Sequence, residues 1–271
     1  RHDGFRGTEV FGTHYQIEEL VAMILRPMKE AADQAAGESI ERAVFGRPVR
    51  FSERDYENDT AERRLRTAAE LAGFKDVTFF YEPVGACVEY AMASEQRQRL
   101  MVVDIGGGTC DVCIMEFGNA HGFHDRLAES KILSVAGVPV AGDAIDKEII
   151  RSKLFPVFGS RARYGPNRLP MPQYLYNQIL DWQNLYKLNN EETINWLIAA
   201  ESTSDQPAAL RALRCLIQRN FGYPVSREVE AAKRRLSTDL ETEIKIEKES
   251  IQIHERLERV EFAHIIEYNL E

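Results

Sequence analysis

Leu100-Met-Val-Val-Asp-Ile-Gly-Gly-Gly-Thr-Cys-Asp-Val-Cys-Ile-Met-Glu-Phe117 reads as a strand, a glycine-rich turn and a second strand. In the second strand a period of two puts Val112, Ile114 and Glu116 on one face, and Cys113 and Met115 on the other. Three successive glycines give up side-chain packing and cost backbone entropy. They permit positive φ and bring bare backbone N–H donors close to a guest, for which a phosphate is well shaped. Asp104 and Asp111 flank this nest. Carboxylates repel a phosphate unless a cation sits between, so the pattern points to Mg²⁺ with a nucleotide. A ligand-free hairpin turn fits the same residues. The stretch is not a P-loop, because no Gly-Lys-Ser/Thr follows, and not a dinucleotide fingerprint, because a strand comes next instead of a helix.

The 271 residues suffice for one large domain or two smaller lobes, and 44% hydrophobic with 28% charged residues is ordinary for a soluble globular chain. A net charge of −9 argues against a strongly basic face, so nucleic acid is not an expected partner. No apolar run approaches ~20 residues, so no membrane partner is expected. The first residues have no apolar signal region and no initiator Met, which suggests an internal portion of a longer protein. Four cysteines, Cys87, Cys110, Cys113 and Cys215, fit a reducing, cytoplasmic location. Cys110 and Cys113 form a C-x-x-C, but residues three apart on a strand point to opposite faces, which argues against a redox or zinc pair. His121 and His124 read as solvated loop residues.

Outward from the hairpin, Ile17, Leu20, Val21, Ile24, Leu25 and Met28 repeat as an amphipathic helix over 15–36, ended by Gly37. A strand is expected within 42–51, a helix from the Ser52–Asp59 region to Ala72, and a strand over 77–81. Glu82-Pro83 then opens a helix to Ala93. A strand near 132–135 follows, then a turn at 137–142. Asp143 and Asp146 begin a helix into Arg151, where acidic residues complement the helix dipole. Residues 155–172 read as a long loop, and helices are expected over 173–186, 191–200, 208–221 and 228–238. A strand over 241–253 and a last helix from Arg259 complete the chain. The order implies an α/β architecture with a mostly helical insertion.

A second polar constellation lies at Glu230, Lys233, Arg234 and Ser237, whose spacing places them on one helix face. That spacing suits an i,i+4 surface ion pair, worth only ~0.3–0.5 kcal/mol. It equally suits a guanidinium stacked on adenine with Glu and Lys on ribose hydroxyls.

In order, these segments resemble the nucleotide-binding domain of DnaK-type heat-shock chaperones, within which the chain looks closest to the YegD-type bacterial members. Asp104-Ile-Gly-Gly-Gly-Thr-Cys-Asp111 resembles the family's second phosphate loop. Glu82-Pro-Val-Gly-Ala-Cys-Val-Glu-Tyr-Ala91 resembles its Glu-Pro-Thr-Ala-Ala-Ala segment, and Val140-Ala-Gly-Asp-Ala-Ile-Asp146 its Gly-Gly-Glu-Asp-Phe-Asp turn. Glu230–Ser237 resembles its adenosine-contacting helix, Glu-x-x-Lys-Arg-x-Leu-Ser.

The resemblance implies an actin-like (ribonuclease H-like) ATPase fold with ATP/ADP and Mg²⁺ as cofactors. Residues 1–98 would form part of the first lobe, 99–140 with 239–271 the core of the second, and 141–238 a helical inserted subdomain. Gly106, Gly107, Gly108 and Thr109 would hold the β- and γ-phosphates, with Gly142 also at the nucleotide. Glu82, Asp104 and Asp111 would order Mg²⁺ and the attacking water, largely through coordinated waters, with Thr109 beside them. Glu230, Lys233, Arg234 and Ser237 would contact adenosine. Positioning and charge neutralisation would supply most of the catalysis.

Val84 replaces the Thr after Glu-Pro, and Ala141 the first Gly of the Gly-Gly turn, where a positive φ would be costly. The family's N-terminal Asp-x-Gly-Thr-Thr hairpin, the lysine after it and the C-terminal Val-Gly-Gly turn are not in the sequence. The expectation is therefore an ATPase of chaperone type whose excised middle portion is inactive alone. Unfolded clients or co-chaperones would engage regions outside it. The alternatives are a non-hydrolysing nucleotide-binding scaffold and a small-molecule kinase of the same fold.

Overall fold

The computed structural model describes residues 7–10, 13–93, 97–118 and 122–270. His121 and the first six residues lie outside that set. The chain divides into two compact units, Arg1–Gly142 and Asp143–Glu271, both of mixed helix and strand.

The first unit opens with an antiparallel hairpin of β1 (Gly7–Val10) and β2 (Thr13–Gln16). Helix α1 (Ile17–Ala36) follows and ends on Gly37 at φ 73°, as the sequence pattern predicts. Strand β3 (Arg42–Arg47) is joined through α2 (Asp55–Ala72) to a parallel strand, β4 (Asp76–Tyr81). Gly73 ends α2 at φ 105°. Its missing Cβ leaves room for the aliphatic stem of Lys29, which is buried, paired with Asp33 at 2.7 Å and set over the Phe74 ring.

Helix α3 (Glu82–Met92) leaves β4 directly, with Pro83 in its first turn, where a missing N–H costs nothing. Strands β5 (Gln98–Ile105), β6 (Cys110–Phe117) and β7 (Lys131–Val138) form an antiparallel sheet in that order, with α4 (Phe123–Ala128) between the last two. Burial along β6 alternates strictly, with Asp111, Cys113, Met115 and Phe117 inward. Cys113, Met115 and Phe117 pack on Val84, Cys87 and Ala91 of α3. The opposite face of β5 carries Met101, Val103 and Ile105, each at least half exposed.

In the second unit, α5 (from Gly142, to Ile149) runs through a π-helical turn (Ile150–Leu154) into the short α6 (Phe155–Val157). The small hairpin β8 (Arg163–Tyr164) and β9 (Leu169–Pro170) follows. The long loop expected over 155–172 is thus partly regular, because Phe155, Phe158, Ala162 and Met171 are core residues. Helix α7 (Gln173–Ile179) breaks at Asp181 and gives way to a 3₁₀ segment (Trp182–Leu188). Helices α8 (Glu191–Thr203), α9 (Pro207–Gln218) and α10 (Gly222–Arg235) come next.

The single strand expected over 241–253 is instead a hairpin, β10 (Glu241–Lys248) and β11 (Ile251–Glu258), turning at Glu249 with φ 46°. Helix α11 (Arg259–Leu270) ends the described chain. One core unites the unit, drawing Leu154, Tyr176, Leu197, Leu213, Val229 and Ile253 from elements far apart in sequence.

Candidate functional site

In the first unit the register of β5 and β6 sets Asp104 directly opposite Asp111. Cross-strand partners share a face, so both carboxylates lie on the side covered by α3, at the turn end of the sheet. Glu82 is the first residue of that helix. Three acidic side chains therefore converge from three elements. Burial, with the charges of Asp104 and Asp111, holds the Glu82 carboxyl above its ordinary range. Like charges so placed destabilise the fold unless a cation or the positive end of a helix offsets them.

Asp111 is the inner member of the set, at 1% exposure. Its Oδ1 accepts a hydrogen bond from the Val49 N–H at 2.8 Å, so the loop after β3 fixes its rotamer. Across the other ladder it faces Gly137 of β7. A Cβ at Gly137 would collide with Asp111 Oδ1 and crowd the Val49 side chain. Arg47, ahead of the Val49 loop, lies over the rings of Phe51 and Tyr81, both 5.2 Å away, and pairs with Glu62 at 3.0 Å.

The turn itself spans Gly106, Gly107, Gly108 and Thr109, closed by the Gly106 N–H donating to the Thr109 carbonyl at 2.9 Å. None of the three glycines takes a positive φ, which corrects the expectation that they serve backbone conformation. Ala141 likewise has no positive φ, so its Cβ carries no conformational penalty. The Gly142 N–H donates to the Gly106 carbonyl at 3.1 Å, tying the turn to the end of the segment after β7.

Among the described residues no three acidic, histidine or cysteine side chains converge closely enough to ligate a metal directly. Glu82, Asp104 and Asp111 thus do not form a set of direct metal ligands. Cys110 is half-buried and Cys113 fully buried, on alternate faces of β6. Cys113 instead meets Cys87 in the core, where burial, with Cys113 alongside, pushes the Cys87 thiol up to about 12.

In the second unit, Glu230, Lys233 and Arg234 stand on α10, and Ser237 follows its end. Arg234 Nη1 and Glu230 Oε1 are 3.8 Å apart and largely solvated, a weak surface pair. Lys233 differs. Its Nζ lies 2.8 Å from Asp146 Oδ1, with side chains only 19% and 11% exposed. Asp146 of α5 is therefore more than the helix-dipole residue its sequence position suggests, because it anchors a lysine 87 positions away. Burial holds its carboxyl above the ordinary range. Lys233 pulls it back, while Asp143 and Glu230 add to the rise. Spacing within one segment cannot signal such a pair. Gly137, Val49 and the Cys87–Cys113 contact carry no sequence signal for the same reason.

Residues 3–129 match the family model described as Hsp70 protein, slightly less than half of the chain. The matched span contains Glu82, Asp104, Asp111 and the Gly106–Thr109 turn, and it ends before Gly142 and α10. The match supports a relationship of this segment to the Hsp70 family, whose members are ATP-dependent chaperones.

Proposed function

We propose, from the premise of an Hsp70-like segment, that the chain supplies nucleotide-binding elements of a chaperone ATPase of YegD type. The observation that carries this reading is the convergence of Glu82, Asp104 and Asp111 beside a turn of three side-chain-free residues. Uncompensated, three carboxylates in one place are a liability. With a hydrated Mg²⁺ they become a seat for a phosphate-bound cation. The N–H groups of Gly107, Gly108 and Thr109, and the Thr109 hydroxyl, would donate to β- and γ-phosphate oxygens, with the Gly106 N–H closing the turn on the Thr109 carbonyl, the bare Gly106 backbone lining the nest and Gly142 bracing it. Mg²⁺, when bound, neutralises charge developing on the transferred phosphoryl group. Asp104 and Glu82 orient the attacking water, and Asp111, locked by Val49, fixes the cation's hydration shell.

In the second unit, Glu230, Lys233, Arg234 and Ser237 would form the adenosine face, the side chain of Lys233 being fixed in place by Asp146. The lobe assignment of 1–98, 99–140 with 239–271, and 141–238 belongs to the same proposal. So do unfolded clients or co-chaperones as partners.

Phosphate release from ATP by the complete protein tests the reading. Asp104→Asn and Thr109→Val should each lower turnover by roughly 100-fold. Unchanged turnover in both variants overturns hydrolysis at this site. A second reading, nucleotide binding without hydrolysis, draws on Asp111 being buried and already engaged by Val49. Tight ATP binding with no phosphate release selects it.

A further inference from the structure

The second unit holds a polar cavity of about 440 Å³ between α9, the residues after it and the β10–β11 turn. Three guanidinium groups line it, from Arg211, Arg214 and Arg219, in a chain of net charge −9. Arg214 is fully engaged: Nε and Nη2 donate to Glu201 Oε2, both at 3.0 Å, and Nη1 to Gln218 Oε1. Arg211 and Arg219 are not. Arg211 Nε donates to Glu201 Oε1 at 2.7 Å and Arg219 Nε to Glu249 Oε2 at 3.0 Å. Their Nη groups have no partner among the described residues. Each fork is thus aimed by a carboxylate behind it and open in front.

The backbone adds an independent observation. Glu249 sits at φ 46° and Asn220, next to Arg219, at φ 52°. Glycine would occupy such positions without strain, and a glutamate there is unfavourable. Strain of this kind collects where a side chain is needed at a fixed place. The Glu249 side chain is the one that holds Arg219 and accepts from the Cys215 thiol at the cavity wall.

We propose that this cavity binds a small molecule bearing two or more linked or closely spaced phosphoryl groups. Three arginines against Glu201 and Glu249 leave one net positive charge, so recognition rests on the two open guanidinium forks more than on bulk charge. A polyanion gains from both open forks, since guanidinium pairs bidentately with phosphoryl oxygens. A volume of about 440 Å³ is in the range of small-molecule sites. The Ser250 hydroxyl supplies a further neutral donor on the wall. The site is independent of the Gly106–Thr109 turn and does not rest on the ATPase reading.

Isothermal titration at low salt with inorganic pyrophosphate, tripolyphosphate and a hexose bisphosphate tests the proposal. Wild type should bind at least one of them saturably. The double variant Arg211→Gln/Arg219→Gln should weaken that binding at least about tenfold. A stronger response to the hexose bisphosphate identifies a phosphorylated metabolite as the ligand class, and a stronger response to tripolyphosphate identifies free polyphosphate. If the glutamine pair melts early, Arg211→Lys/Arg219→Lys keeps both charges and should still weaken binding by removing the forks. Absence of saturable binding by wild type, or equal affinity in the folded double variant, overturns the site.

Discussion

Gly137 is small because Asp111 is buried. Any Cβ there would occupy the space of Asp111 Oδ1 and press on Val49. Gly137→Ala should therefore cost about 1–3 kcal/mol of stability in urea unfolding, as overpacking does in tight interiors. A cost indistinguishable from zero would mean that the Asp111 rotamer is free to move. Residue chemistry at this site was only half legible from sequence. Asp104, Asp111 and the glycines stand out by type and order. That Asp111 would be the inaccessible member depends on register across two ladders and on Val49, 62 positions earlier. The glycine run signals positive φ, but none of Gly106, Gly107 and Gly108 adopts it.

Between elements, the α5–α10 tether makes a sharper prediction because its two ends are unequal. Asp146 already resists ionisation through burial, so the isosteric Asp146→Asn should change stability by less than about 1 kcal/mol. Lys233→Met removes the cation that keeps the carboxylate tolerable and should cost about 2–4 kcal/mol at neutral pH. The sign with pH follows. A raised carboxyl pKa means the folded state holds its proton more tightly than the unfolded state, so stability is lost as pH rises through that pKa. The Lys233→Met deficit should accordingly be full near neutrality and shrink as pH falls and Asp146 takes up its proton. Denaturant titrations at several pH values check this, and a deficit that grows on acidification contradicts it.

Helices with strong local punctuation were read closely, as α1 before Gly37 and α2 before Gly73 show. Helix α10 begins six residues earlier than expected because Pro224 sits within its first turn, where proline is tolerated. The 241–258 hairpin is not legible in the sequence because its turn residue is a glutamate, which carries no turn signal of its own.

At the scale of the whole molecule, each unit has its own core, and no helix among the described residues is long and apolar enough to cross a membrane. The first unit holds the acidic cluster, the glycine turn and the Hsp70-like match. The second holds the α10 face and the arginine-lined cavity. The acid–turn pair carries the functional proposal, and its physical signature is metal linkage: three carboxylates should hinder a phosphate without a cation and assist it with one. The direct measurement is ADP affinity of the complete protein with Mg²⁺ and with chelator, in wild type and in Asp104→Asn. Mg²⁺ is predicted to strengthen wild-type binding at least about tenfold, and the variant to lose most of that gain. Equal wild-type affinity with and without Mg²⁺ would contradict the assignment of Glu82, Asp104 and Asp111 as the seat of a nucleotide-bound cation.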